Sequence, residues 1–73
     1  MFDTSKLRGK IIEKYGTLNA FAVAMNMTPS TLSGRLHGKS YWDQSEIVTA
    51  LRLLDVDISE VRDYFFALVL AVS

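Results

Sequence analysis

The sequence predicts an all-α fold: a compact bundle of about five short helices forming one domain over residues 1–73. Three observations carry this. Apolar residues recur at spacings of three and four along most of the chain. Helix-starting Thr and Asp residues and helix-ending Gly and Asn residues punctuate it at short intervals. Strand-like patterning is nearly absent before the last nine residues. At 73 residues the chain lies near the lower size limit for folding on a hydrophobic core alone, and its 49% apolar content suffices for one core.

The elements follow in order. Asp3 is the expected cap of a first helix, stapled by Phe2 and Leu7, with Leu7, Ile11, Ile12 and Tyr15 on one face. Gly16 suits the left-handed position that ends it. Thr17 caps a second helix in which Leu18, Phe21, Ala22 and Met25 recur on one side, and Asn26 marks a tight turn. Thr28 caps a third helix, 28–37, with Pro29 at its first position, where a missing N–H is harmless. Met27 and Leu32 staple it, Leu32 and Leu36 form its apolar stripe, and Gly38 stops it. Asp43 and Glu46 form a capping-box variant for a fourth helix that buries Ile47, Leu51 and Leu54, with Trp42 and Ile47 as staple. Asp57 to Glu60 repeats the device for a fifth helix, stapled by Val56 and Val61. Connections of two to six residues fit an orthogonal packing of such helices.

Composition narrows the function classes. No cysteine is present, so a disulfide and a thiolate zinc site are ruled out. A lone histidine, His37, at a helix end reads as a dipole partner rather than a metal ligand or catalyst. No paired carboxylates, serine–base arrangement or phosphate loop stands out, so no enzyme, metal, cofactor or small-molecule substrate is expected. Met1 to Ser5 lacks a signal-peptide pattern, and the longest apolar run, Tyr64 to Val72, is too short to span a bilayer. An intracellular protein without a membrane role is expected. The net charge is zero but segregated: residues 1–42 carry six basic against two acidic side chains, and residues 43–73 carry two against six. The basic half could face a polyanion.

Helices two and three are the informative pair. A helix-turn-helix needs a small residue facing the partner helix, a left-handed-capable residue in a short turn, a hydrophobic residue after it and an apolar position in the second helix. Ala22, Asn26, Met27 and Leu32 fill these roles in order.

The whole chain resembles the Cro and repressor-type helix-turn-helix regulators of bacteriophages. More narrowly, it resembles small phage proteins of about this length, including modulators of repression and antirepressors. The carrying segments are Phe2-Asp3, Ser5 to Ile11, Glu13 to Thr17, Ala20-Phe21-Ala22, Thr31-Leu32-Ser33, Arg35-Leu36, Gly38-Lys39-Ser40, Gln44 to Ile47 and Tyr64-Phe65-Phe66, together covering roughly residues 2–66. The resemblance implies a third helix lying in the major groove of double-stranded operator DNA. Pro29, Ser30, Thr31, Ser33 and Gly34 would then read bases. Arg35, Lys39, Ser40 and Tyr41, with Thr17 and Thr28 at helix N-termini, would contact phosphates. Two departures stand out: Asn26 replaces the usual turn glycine, and Gly34 offers no side chain where a base reader often sits.

The apolar tail, 65–73, is a candidate interface. Phe65, Phe66, Leu68, Val69 and Leu70 could continue helix five, pair as a strand in a homodimer, or fold back over the core. The expected function is a phage or prophage transcription regulator that binds operator DNA in the cytoplasm of a bacterial host. The alternative is an antirepressor or modulator that binds the phage repressor protein through the same helix-turn-helix surface. A toxin–antitoxin component gripping its partner with the tail is a third option.

Overall fold

Helix boundaries follow the capping residues. In the computed structural model, which describes residues 2–68, α1 spans Ser5–Tyr15, α2 Leu18–Ala24, α3 Pro29–Leu36, α4 Gln44–Leu53 and α5 Val61–Phe65, with a 3₁₀ turn over Ile58–Glu60 leading into α5. The all-α bundle expected from the sequence is the architecture found. Thr17 accepts a hydrogen bond from the Ala20 amide and Thr28 from the Thr31 amide, each satisfying a donor that the helix itself cannot. Asp43 and Glu46 close a full capping box on α4, and Asp57 accepts from the Ser59 amide. At α1 the device is shifted by one residue. Thr4 takes the cap position, while Asp3 accepts from the amide and hydroxyl of Ser5. The Thr4 hydroxyl is thereby free to donate to the carbonyl of Leu36, 3.0 Å away, joining the chain start to the end of α3.

Three helices end in one way. The amide two residues beyond the C-cap reaches back to the carbonyl five residues earlier: Met27 to Ala22, Lys39 to Gly34 and Val56 to Leu51. The residue between must adopt positive φ, and Asn26, Gly38 and Asp55 do so at 59°, 78° and 57°. Asp55 is the one that the sequence did not announce. Its short polar side chain tolerates this conformation, but no glycine or asparagine marks the position.

The core is one cluster. Leu7, Ile11, Phe21, Ala22 and Leu54 are fully buried, with Leu32, Leu36, Leu51, Tyr64 and Phe65 nearly so. It lies where α1 packs on α2 and α5 and α2 packs on α3. Tyr15 stacks edge-on against Phe21 at 5.2 Å and donates its hydroxyl to the Leu53 carbonyl, joining α1 to the end of α4. Trp42 stacks edge-on against Phe65 at 5.1 Å, holding the α3–α4 loop against α5. Ile12 does not join the core face assigned to it: it is 48% exposed, because the narrow buried stripe of α1 passes through Leu7 and Ile11 alone.

The chain ends meet. Phe2 forms an antiparallel bridge with Leu68, the Asp3 amide donates to the Ala67 carbonyl, and the rings of Phe2 and Phe66 stand edge to face at 5.8 Å. Among the described residues this bridge is the only strand-like pairing, and helix five ends at Phe65 rather than running on into the apolar tail.

The phase of α1 gives a direct test. Ile11→Val should lower unfolding free energy by about 1 kcal/mol, measured by urea denaturation, while Ile12→Val should change it by less than about 0.5 kcal/mol. Equal losses at both positions would place the buried stripe wrongly.

Candidate functional site

The α2–turn–α3 pair has a buried side and an exposed side. Inside, Ala22 is completely buried, and its methyl group leaves room for the close approach of α3, whose Leu32 is 1% exposed. Asn26 turns the chain, Met27 packs back on the core, and the Thr28 cap starts α3 at once. Outside lie Thr17, Asn19, Ala20, Val23, Ala24 and Asn26 from α2 and its ends, and Thr28, Pro29, Ser30 and Ser33 from α3. Val23 is 77% exposed, an apolar side chain left in water on α2.

Electrostatically the surface is bare. From Tyr15 to Gly34 no residue carries a charge, and these residues make up all of α2 and most of α3. The first charged side chain beyond them, Arg35, is already occupied. Its Nε and Nη2 donate to the two carboxylate oxygens of Glu46, each at 3.0 Å, and its Nη1 donates to the Ser40 hydroxyl at 2.7 Å. The Arg35 and Glu46 side chains are each about four-fifths buried. The Arg35 hydrogen bonds hold the Glu46 carboxyl below its ordinary value, and the same bonds raise Arg35 further. Glu46 Oε1 also accepts from the Asp43 amide, so a single carboxylate caps α4 and holds α3.

The residues expected to read bases or grip phosphates therefore separate. Pro29, Ser30 and Ser33 lie on the exposed face of α3. The Ser33 hydroxyl is within 3.2 Å of His37 Nδ1, which also sits 2.9 Å from the Ser33 carbonyl. Thr31 is half-buried and its hydroxyl accepts from that of Thr28. The Thr17 and Thr28 hydroxyls serve as caps. Arg35 is committed to Glu46 and Ser40 rather than turned outward. Gly34 is not a smooth patch on the outer face: it lies under the following loop, and a Cβ there would stand 3.2 Å from the Ser40 hydroxyl oxygen. Its lack of a side chain makes room for that loop. Lys39 and Tyr41 are exposed, Tyr41 at 84%.

Charge segregation along the sequence is partly cancelled in space. Lys6 lies 3.9 Å from Asp63 and over the Tyr64 ring, Lys10 pairs with Glu13, and Arg35 with Glu46. Half of the basic residues in 1–42 thus face carboxylates, which weakens the polyanion-facing side that the sequence suggested. Val23, with Ala20 and Asn19, is the part of the surface that motif reasoning passed over. The charge-free stretch from Tyr15 to Gly34 was the signal that could have marked it.

Of the tail candidates, Phe65 is a core residue, 5% exposed, because its ring packs on Trp42. Phe66 and Leu68 are exposed at 46% and 63%. Val69 and Leu70 lie outside the described residues. Beside Phe66 a cleft of about 450 Å³ opens between the chain start and the α3–α4 loop, lined among others by Phe2, Leu36, Tyr41, Trp42 and Ile47. Among the described residues no cluster of His, Asp or Glu could hold a metal ion, and no helix is long and apolar enough to cross a membrane.

The family model described as Protein of unknown function (DUF739) matches residues 1–68. The chain belongs to this family. Among solved structures, this DUF739 chain is similar to the solution structure of the modulator of repression (MOR) of the temperate bacteriophage TP901-1 from Lactococcus lactis. The two share 40% identity with a TM-score of 0.80, over 89% of this chain and 88% of that one. No curated protein matches the chain. Of the resemblances read in the sequence, the narrower one, to small phage regulators that modulate repression, is the one this similarity supports.

The Arg35–Glu46 pair makes a testable contribution. Glu46→Gln keeps the capping geometry and removes the charge, and should lower stability by about 1–2 kcal/mol at neutral pH, the pair being partly open to solvent. Because the folded-state value of Glu46 is depressed, this contribution is full above the ordinary carboxylate value and lost as pH falls through the folded value. Urea midpoints of the two proteins should therefore converge in acid. A gap that persists at low pH would mean that the charge is not its source.

Proposed function

We propose that this DUF739 chain is a phage or prophage regulator that modulates repression by binding the phage repressor protein through the exposed face of α2 and α3, acting as a helix-turn-helix used on protein rather than on DNA. The observation that carries this reading is the uncharged face. Sequence-independent DNA affinity comes from cations that displace counterions from phosphates. Here α2 and the outward side of α3 supply none, and the guanidinium at the end of α3 is bound internally. A charge-free surface with an exposed valine instead suits the core of a protein contact, where charged residues are depleted. The similarity to a modulator of repression supports the same choice of partner.

Operator binding through the same pair is the second reading, favoured by the exposure of Ser30, Ser33 and Lys39. It needs affinity from few cations, and a two-fold partner to match palindromic half-sites. Phe66 and Leu68 are the described residues that such a homodimer could use.

The test is a titration of the chain with the repressor of its own phage or prophage, followed by calorimetry. A stable complex should form, with affinity changing little between about 50 and 200 mM salt. Val23→Glu, which alters an exposed position and leaves the core intact, should weaken it at least about tenfold, or about 1.4 kcal/mol. Salt-sensitive binding to operator DNA by the chain alone, lost in part on Lys39→Ala, would instead establish the operator reading.

A further inference from the structure

We propose that Asn19 and Asn26 are binding residues for the repressor, their side-chain amides hydrogen-bonding to it on either side of Val23; this rests on the repressor-binding reading above and names the groups that set the register of that contact.

Val23 has an asparagine in each direction along the chain. Asn19 stands four residues before it on α2, a spacing that stacks two side chains on one side of a helix. Asn26 lies three residues after it, and its main-chain amide donates to the Val23 carbonyl at 3.0 Å. That residue is held at φ 59° by the turn that the Met27 amide closes on the Ala22 carbonyl at 2.8 Å. Both asparagines are exposed, and they are the only two in the chain.

Their hydrogen-bonding groups are free where those of most neighbours are used. The Thr17 hydroxyl accepts from the Ala20 amide. The Thr28 hydroxyl accepts from the Thr31 amide and donates to the Thr31 hydroxyl. The Ser33 hydroxyl lies 3.2 Å from His37 Nδ1. Among the described residues no side-chain hydrogen bond uses the amide of Asn19 or Asn26, or the hydroxyl of Ser30. Of these free groups, the two amides are the ones that flank Val23 by spacing and by main-chain bonding. A carboxamide carries donors and an acceptor without charge. Covered by a partner that offers no complement, it loses its water and is left unpaired, which penalises a wrong partner or a shifted one. The repressor surface that fits is an apolar recess for Val23 bordered by uncharged donors and acceptors.

The experiment measures repressor affinity by calorimetry for Asn19→Ala, Asn26→Gly and, as a control on α4, Gln44→Ala, with the side-chain NH2 signals of the isotopically labelled chain followed in parallel. Alanine favours a helix and glycine favours positive φ, so both asparagine variants should unfold at a urea midpoint close to that of the wild type. Each should nevertheless weaken repressor binding by at least about fivefold, and Gln44→Ala by less than about twofold. The chain has three side-chain amides, Asn19, Asn26 and Gln44. Repressor should move the NH2 signals of the two asparagines and leave that of Gln44 in place. Wild-type affinity in both asparagine variants, with Val23→Glu still weakening the complex, would overturn the amide contacts and leave the α2–α3 reading standing. Wild-type affinity in either one alone would overturn the bracket around Val23; in Asn26→Gly it would make Asn26 a turn residue only. Movement of both asparagine signals by operator DNA without repressor would assign them to adenine edges and overturn the proposal. If the wild-type chain binds no repressor, both readings fall together.

Discussion

Arg35 lies between three elements: it grows from the last turn of α3, grips the carboxylate of Glu46 on α4 with two parallel hydrogen bonds, and reaches the Ser40 hydroxyl in the loop that joins them. Such a fork is geometrically specific as well as strong. It fixes the crossing of α3 on α4, closes the loop over Gly34, and turns the basic group nearest the end of α3 inward. The outer face of α2 and α3 is neutral as a consequence of both the sequence and this pairing. That constraint connects the packing of a small domain to the kind of partner it can hold.

Much of the fold was legible in the sequence, and the reason is local. Caps and turns are set by interactions across three to five residues, so Thr17, Thr28, Asp43 and Asp57 mark helix starts and Asn26 and Gly38 mark helix ends in the structure as in the sequence. The buried positions Leu7, Phe21, Ala22, Leu32, Leu51 and Leu54 follow from periodicity in the same way. Errors arose where a neighbour distant in sequence decided the outcome. Ile12 had the right spacing for the core but no element to cover it. Asp3 yielded the cap position to Thr4, whose hydroxyl is tied to Leu36, 32 residues away. Phe65 sat in an apolar run that suggested an interface, and only the position of Trp42 makes it core.

The candidate site was less legible than the fold for the same reason. A motif locates the residues that a DNA-reading helix would use, but it does not say which of their side chains are already bound. Gly34 looked like a missing reader and is a packing site for a loop; Arg35 looked like a phosphate contact and is an internal brace. The exposed α2 residues Asn19, Ala20 and Val23 were invisible to a search for charged readers, because what distinguishes them is the absence of charge. A surface meant for protein is recognised by desolvation that costs little, and short neutral side chains satisfy that condition.

The central claim, that a neutral α2–α3 face meets a protein, is tested most directly by following backbone amide signals of the isotopically labelled chain as unlabelled repressor is added. The account predicts that the largest changes fall on Asn19, Ala20, Val23, Ser30 and Ser33, and that operator DNA added without repressor leaves them unmoved. Changes confined to other faces, or the same residues responding to operator DNA alone, would contradict it.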